Sequence, residues 1–339
     1  MNRTRVALLV TPLASVLLQI AGALATMTPI TAPITITSLE PRFDRLVPRD
    51  AKLEKIAEGF TWVEGPVWHK QGAYLLFSDI PANRIYKWTR REGLSVFLEH
   101  SGYSGSRPFA GREPGSNGLT FDAAGRLVLC RHGDRQIGRL EADGRITVLA
   151  DRYEDYRLNS PNDLVFKSNG DLYFTDPPFG LPKFFDEPDK APVQGVYRLS
   201  PNGALRLLIS DLTLPNGIAF SPDERTLYLS DDDPDRLAWL AYDVQEDGTL
   251  SNGRVLLDAT HWRHQSSGPD GLKVDRDGNI FATRPGGISV IAPDGTLLGT
   301  IEIGQPTSNV AWGEDGQTLF ITANDSVYRL RVTTAGAHY

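Results

Sequence analysis

The chain has 339 residues, of which 40% are hydrophobic and 23% charged, and its formal net charge is −7. This is the composition of a globular protein, and it excludes a disordered or fibrous chain. The negative charge and the lack of a Lys/Arg-rich cluster argue against nucleic acid as a partner. The length allows two average domains or one large all-β domain.

The N-terminus has the pattern of a secretory signal peptide. Arg3 and Arg5 precede an apolar run over positions 6–24, and Ala23-Leu24-Ala25 has the small-x-small pattern of a signal peptidase site. An uncleaved membrane anchor is the alternative, because the run is just long enough to span a bilayer. We expect residues 1–25 to be removed and the protein to be exported, periplasmic or secreted, with no membrane contact after cleavage.

Residues 26–50 are rich in Thr and Pro and show no amphipathic period, which predicts a linker or an N-terminal wrap. From about residue 51 the chain repeats a pattern six times. Each copy opens with a polar residue, usually followed by Gly, and continues with an apolar strand, an Asp/Asn/Gly turn, a second strand and a third. Successive openings are 53, 45, 54, 54 and 39 residues apart. The opening residues are Glu64, Asn117, Asn162, Asn216, Asp270 and Asn309.

Repeats of this length with short alternating strands are typical of β-propeller blades. The sequence therefore predicts an all-β protein, a six-bladed β-propeller over residues 51–339. The last copy offers only three strands, and the segment from Lys52 to Phe60 is a spare strand. Pairing the two would close the ring and protect two sheet edges. Aromatic residues in the third strands are predicted to pack between blades: Trp88, Tyr197, Trp239 and Tyr328.

The first strand of each propeller blade lines the central channel, so the six opening residues should form a ring at one mouth. A single Asn-Gly or Asp-Gly pair is a common turn. Six such residues with no Lys or Arg among them bring the carboxylates of Glu64 and Asp270 together, and these need a cation. The all-oxygen donor set predicts one divalent metal, Ca²⁺ first, with Zn²⁺, Mn²⁺ and Mg²⁺ as alternatives.

Four opening motifs carry a family resemblance: EGPVW, SPNDLVF, LPNGIAFSPD and PDGLKVD. With these in order, the chain from about Leu53 to Leu330 resembles the SMP-30/gluconolactonase/LRE family of six-bladed, metal-dependent lactonases, and its bacterial gluconolactonase branch above all. The ring also resembles that of phosphotriesterase-like propellers. The resemblance implies that Asp270 is the catalytic base and that Asn162 both binds the metal and faces the substrate. The implied metal ligands are Glu64, Asn162, Asn216 and Asp270.

The resemblance fails at one position. Regucalcin-type members place an Arg two residues before the Asn of the third blade, where this chain has Ser160. Sugar recognition through that Arg does not carry over, and Arg157 and Asn159 are candidates to replace it. Asn117 and His132 are further candidates for substrate contact. His132 is also an alternative base, although a His that stabilises a loop is the commoner case.

Three other groups of residues have ordinary structural explanations. Cys130, the only cysteine, lies in an apolar run and is predicted to be a buried packing residue. His261 and His264 are predicted to be solvated loop residues. An Asp ends the second strand of three copies, which predicts hydrogen bonding in turns: Asp79, Asp176 and Asp231.

The leading functional hypothesis is a hydrolase that opens a small-molecule sugar or aldonic lactone, with the metal as Lewis acid and a carboxylate that activates water. The alternative is a non-catalytic, calcium-stabilised propeller that binds a ligand or a protein, since propellers host many functions. A strictosidine-synthase-like lyase is disfavoured because that branch does not rely on such a metal ring. Serine hydrolysis is disfavoured because the chain has no Gly-x-Ser-x-Gly motif. A monomer is expected.

Overall fold

The computed structural model describes residues 30–265 and 267–337. Over these residues the chain forms 28 strands and no α-helix. Three short 3-10 helices lie at Phe43–Arg45, Phe184–Asp186 and Thr260–Trp262. The predicted signal peptide, residues 1–25, lies outside the described residues. Within the described ranges no helix is long and apolar enough to cross a membrane.

The strands form six antiparallel sheets, and the first strands of successive sheets contact one another in a closed circle. This arrangement confirms the predicted six-bladed β-propeller. From the channel outward, blade 1 consists of Val63–His69, Tyr74–Asp79, Arg84–Thr89 and Gly93–Glu99, and blade 2 of Ser116–Phe121, Leu127–Arg131, Gln136–Leu140 and Ile146–Ala150. Blade 3 consists of Leu164–Phe166, Leu172–Asp176, Gln194–Leu199 and Leu205–Leu212, and blade 4 of Pro215–Phe220, Thr226–Asp231, Ala238–Val244 and Leu250–Asp258. Blade 5 consists of Leu272–Val274, Ile280–Arg284, Gly287–Ile291, Leu297–Glu302 and Thr35–Ser38, and blade 6 of Thr307–Gly313, Thr318–Ala323, Ser326–Arg331, Leu53–Glu58 and Ile30–Ala32. A two-stranded hairpin, Arg152–Tyr153 with Tyr156–Arg157, follows blade 2.

The ring is closed by strands from the two ends of the chain. The strand Leu53–Glu58 pairs antiparallel with Ser326–Arg331, with Leu53 opposite Leu330, as the spare-strand argument predicts. The segment expected to be a linker or wrap contributes two edge strands. Ile30–Ala32 pairs with Leu53–Glu58, and Thr35–Ser38 pairs with Leu297–Glu302. Both therefore cover outer edges that would otherwise be open to pairing with another chain.

The core lies between the blades. All four third-strand aromatics are buried, and they belong to clusters that join neighbouring blades, as Trp88 of blade 1 does with Phe320 of blade 6. Cys130 is buried in the cluster between blades 2 and 3, where burial raises its pKa well above the ordinary value. A thiol with a raised pKa is a poor nucleophile, so Cys130 has the predicted packing role.

The acidic residues that end the second strands hold loops in place. Asp79 accepts backbone N–H bonds from Thr61 and Trp62, while Asp176 and Asp231 do the same for Asn159 and Leu214. Each carboxylate fixes the segment that enters the first strand of its own blade. The predicted turn hydrogen bonding is therefore confirmed.

One end of the channel, called the mouth here, holds the beginnings of the first strands. Because the blades are antiparallel, second and fourth strands end on the same face. Three long connections therefore emerge at the mouth: residues 100–115, 177–193 and 259–271. Connections of this length in a compact fold are frequently functional.

Candidate active site

The ring residues lie where the first strands are irregular. The pairing register shifts between Glu64 and Val67, between Ser116 and Leu119, and between Pro215 and Ile218. A bulge leaves a residue without its cross-strand partner and re-aims its side chain. Asn117 and Asn216 lie inside these bulges and have no cross-strand partner. Asn162 and Asp270 precede their first strands, whereas Glu64 and Asn309 pair with Ser78 and Thr322 beside a register shift.

The glycine after a ring residue lies against the next blade. A Cβ atom on Gly65, whose φ is +53°, would lie 2.1 Å from the carbonyl oxygen of Asn117. A Cβ on Gly217 would lie 2.4 Å from the carbonyl oxygen of Asp270. Any side chain would force the two blades apart, so the Asn-Gly and Asp-Gly pairs bring neighbouring ring residues close together.

Hydrogen bonds link the ring from blade to blade. The Asn309 amide donates to Glu64 Oε2 at 3.2 Å, and Gly118 N donates to the Asn162 carbonyl at 2.8 Å. Second-strand hydroxyls fix two further members through their carbonyls: Thr175 Oγ1 donates to Asn216 at 2.7 Å, and Ser230 Oγ donates to Asp270 at 2.5 Å. Asp270 is partly buried. The other five ring members are buried: Glu64, Asn117, Asn162, Asn216 and Asn309.

Both ring carboxyl groups are destabilised in their charged form. Burial raises the pKa of Glu64 to about 8, and the charge of Asp163 adds to this, while the Gly65 N–H opposes it. Burial also raises the pKa of Asp270 well above its ordinary value, with further contributions from Glu64, then Asp232. A cation between the two carboxylates would remove both the desolvation cost and the mutual repulsion.

The donor set fits a hard cation. Within residues 30–265 and 267–337, no group of three or more His, Cys, Asp and Glu side chains is placed to hold a metal. The predicted set differs from such a group because it combines two carboxylates with the amide oxygens of Asn162 and Asn216. Oxygen ligands of this mixed kind suit Ca²⁺. The Asn117 side-chain oxygen is buried without a hydrogen-bond partner among the described residues, so it remains an available acceptor.

The sequence analysis missed two charged residues of the channel, Asp163 and Lys273. Lys273 Nζ lies 3.6 Å from Asp163 Oδ2 and 3.5 Å from Asn309 Oδ1, and its charge lowers the pKa of Glu64. A signal for each exists in the sequence. Blade 3 opens with Asn-Asp where Asn-Gly is the usual pair, and Lys273 interrupts an apolar first strand.

His132 lies at the mouth, one residue after the second strand of blade 2, but its side chain has no exposed surface. Its Nδ1 atom lies 3.0 Å from Glu113 Oε2. The His132 side chain is therefore not open to a substrate in this structure. His261 and His264 are exposed in the connection before Asp270, where the His261 ring packs against Trp262.

The side chains at and near the position of the family Arg make hydrogen bonds to backbone carbonyls. Ser160 Oγ donates to the carbonyl of Pro177 at 2.6 Å. The Asn159 amide donates to the carbonyls of Asp176 and Val193, and Arg157 donates to the carbonyl of Asp134. All three side chains therefore have intramolecular partners, and another residue must recognise the substrate if recognition is polar.

The chain is similar in sequence and fold to several known proteins. A gluconolactonase of Zymomonas mobilis subsp. mobilis is 44% identical over 312 residues, which cover 89% of this chain and 87% of that protein. The structure of a gluconolactonase from Xanthomonas campestris superposes with a TM-score of 0.79 at 32% identity, covering 91% of this chain and 98% of that one. A calcium-binding regucalcin of Agrobacterium tumefaciens shares the fold, with a TM-score of 0.67 at 19% identity and coverage of 83% and 94%.

The family model of the SMP-30/gluconolactonase/LRE-like region matches residues 62–325, which include all six ring positions. The chain belongs to the SMP-30/gluconolactonase/LRE-like family.

Proposed function

We propose that this protein is a metal-dependent lactonase that opens a sugar or aldonic lactone. The observation that carries the proposal is the pair of carboxyl groups, Glu64 and Asp270, in a ring of amides at the channel mouth. Burial raises both pKa values, as expected for carboxylates that evolved beside a cation. The 44% identity to a gluconolactonase supports a lactone as the substrate.

Glu64, Asn162, Asn216 and Asp270 are the residues that would hold the metal, for which Ca²⁺ is the first candidate. When bound, a divalent cation supplies a Lewis acid that polarises the ester carbonyl and stabilises the developing oxyanion. Four protein ligands leave positions open on an ion that takes six to eight oxygens.

Asp270 is the proposed general base. It is the one ring member that is only partly buried, so it is the member most open to an approaching water molecule. Its backbone carbonyl accepts a hydrogen bond from Ser230 Oγ, which fixes the backbone that carries the carboxylate. Asp270 accepts a proton from the attacking water as the water oxygen bonds to the carbonyl carbon. The ring C–O bond of the ester then breaks, and the leaving alkoxide takes that proton to give the hydroxy acid. The free acceptor on Asn117 and the amide of Asn162 orient the substrate.

A panel of lactones assayed with EDTA, and then with Ca²⁺ restored, tests the function. We expect turnover that is lost with EDTA and recovered with Ca²⁺. At saturating Ca²⁺, Asp270→Asn should lower kcat by about 10²–10⁴, the usual range for a general base. Full kcat in Asp270→Asn would reduce this residue to a ligand. A folded, metal-binding wild type without turnover would support the non-catalytic propeller instead.

We also propose that the protein is exported and acts as a monomer. The basic, apolar and small-residue pattern of residues 1–25 supports export. The two N-terminal edge strands support the monomer, because they cover the outer edges of blades 5 and 6.

A further inference from the structure

Glu113 is a carboxyl group at the mouth that does not belong to the repeat. It lies in the connection 100–115, and its side chain is 29% exposed. The connection 100–115 lies at the mouth, as Asp270 does, and the charge of Glu113 contributes to the raised pKa of Asp270. Glu113 is therefore placed to contact a molecule that approaches Asp270.

A buried histidine stands behind Glu113. The Nδ1 atom of His132 lies 3.0 Å from Glu113 Oε2, within ion-pair distance but without hydrogen-bond geometry, and neither ring nitrogen has a hydrogen-bond partner in the described part of the chain. Burying an imidazole with so few partners is costly, and such a group usually has a specific role. Its place against a half-exposed carboxyl group indicates that the role is to hold that group.

Both residues are held firmly by their surroundings. His132 N donates to the carbonyl of Gly115 at 3.1 Å, and Gly115 N donates to the carbonyl of Ile80 at 2.9 Å. These bonds tie the segment that carries Glu113 to the ends of two second strands. The backbone next to Glu113 is therefore anchored beside His132.

Ser160, which stands where the family has Arg, helps to hold a loop that packs against His132. Ser160 Oγ bonds the carbonyl of Pro177 and accepts the N–H of Gly180 at 2.9 Å. Gly180 in turn packs on His132, since a Cβ there would lie 2.5 Å from the His132 Cβ atom. The residue at the position of the family Arg thus anchors a loop that packs against His132.

We propose that Glu113 binds hydroxyl groups of the lactone and that His132 is the positioning residue that holds it in place. The inference rests on the proposed function and names a specificity determinant of that same site. A carboxyl group accepts hydrogen bonds from neighbouring hydroxyls, and it favours a polyhydroxylated ring over a bare one. Polar recognition is thereby supplied by the connection between blades 1 and 2, in place of the family Arg that is absent at Ser160.

The test compares two lactones that share a six-membered ring: glucono-1,5-lactone, which carries hydroxyls, and δ-valerolactone, which has none. Glu113→Ala should raise KM for the first by about 10-fold or more, the usual effect of a lost hydrogen bond to a charged group. The KM for δ-valerolactone should stay within about twofold, because that lactone offers Glu113 no donor. Glu246→Ala, which removes an exposed carboxyl group from the opposite face of blade 4, is the control.

His132→Phe tests positioning, since it fills the buried space without a nitrogen. It should raise KM for glucono-1,5-lactone in the wild-type background and have no further effect in Glu113→Ala. His132→Gln, which retains a donor, should recover part of the loss. Additive effects in the double variant would contradict a role through Glu113. Equal changes for both lactones in Glu113→Ala would overturn the proposal, as would no change for either, and thermal melts check that each variant is folded.

Calorimetric binding of gluconolactam, the amide analogue with the same hydroxyls, separates this inference from the proposed function. Binding by the wild type that weakens in Glu113→Ala supports Glu113 even if neither lactone is turned over. Equal affinity in the two proteins, or no binding by the wild type, refutes the role of Glu113 whatever the outcome of the lactonase assay.

Discussion

Glu64 and Asp270 differ from the four amides of the ring in charge, and the charge decides what the ring can hold. Glu64 is buried, and the groups that stabilise its negative charge are the Gly65 N–H, the Asn309 amide and the nearby Lys273. These bonds leave its pKa at about 8. A bound cation has to provide the rest of the compensation, so the affinity for the ion depends on this carboxylate.

We expect Glu64→Gln to weaken Ca²⁺ binding more than Asn117→Ala does. The first substitution removes one of the two ring charges, whereas the second removes a neutral side chain outside the family's ligand set. Isothermal titration of the metal-free proteins with Ca²⁺ measures both affinities. Equal affinities in the two variants would refute the assignment of Glu64 as a ligand.

Asp176 gives a prediction about stability and pH. Burial raises its pKa from 3.8 to about 7, although the Asn159 N–H and Arg135 oppose the shift. The folded state therefore keeps a proton that the unfolded chain has released, and this contribution to stability falls as pH rises from about 4 to about 7. Asp176→Asn carries no titrating proton and keeps an oxygen for the Asn159 N–H.

Chemical denaturation at about pH 5 and about pH 8 measures this effect, because the two values lie within and above the window in which the folded state holds the extra proton. The variant should lose less stability than the wild type between them. An equal loss in the two proteins would show that Asp176 does not titrate in this window.

The sequence predicts ring residues better than residues of the loops. Glu64, Asn162, Asn216 and Asp270 share a repeated position, and a repeat fixes the geometry of each copy from the others. Glu113 lies in an irregular connection, for which no second copy exists. Its meeting with His132 depends on how the connection folds back over blade 2, and local sequence preferences do not determine that contact.

At the scale of elements, the second strands join neighbouring blades through hydroxyl groups. Thr283 Oγ1 contacts the carbonyls of Gly271 and Ser308, and Ser78 Oγ donates to the carbonyl of Asn117. Each bond runs from one blade to the beginning of a first strand, mostly in the next blade. The blades are therefore fixed to one another close to the metal ligands, which keeps the ring in shape without the metal.

The closing strand offers a test at this scale. A chain that begins at Leu39 lacks the two edge strands but keeps Leu53–Glu58, so we expect it to fold with a modestly lower Tm. A chain that begins at Thr61 also lacks the strand that pairs with Ser326–Arg331, and it should aggregate or fail to melt cooperatively. Thermal melts and size-exclusion chromatography compare the two.

A cooperative melt of the shorter chain at the wild-type Tm would contradict the role of the closing strand. The sequence predicted this strand because the last blade had only three. It did not predict Ile30–Ala32 and Thr35–Ser38, since three or four residues in a Thr/Pro-rich segment are too few to show alternation. Their pairing is decided by the open edges of blades 5 and 6.

At the scale of the whole molecule, the proposed export would determine the mature N-terminus. Cleavage after Ala25 would leave Thr26 first, only a few residues before the edge strand Ile30–Ala32. Intact-mass measurement of the exported protein should therefore give a chain that starts at Thr26. A mature mass that includes Met1 would contradict cleavage and leave the membrane anchor as the explanation.

The sheet of blade 6 also determines when the fold can be completed. Its strand Leu53–Glu58 is made early, while its partner Ser326–Arg331 is among the last segments to be synthesised. Until the C-terminus is available, the early strand has an unpaired edge and blade 1 lacks a neighbour. Pairing over such a sequence separation is slow, because the entropy of a very long loop must be lost first. Folding of the propeller cannot finish before Ser326–Arg331 has been synthesised, and its partly built forms should depend on chaperones to avoid aggregation.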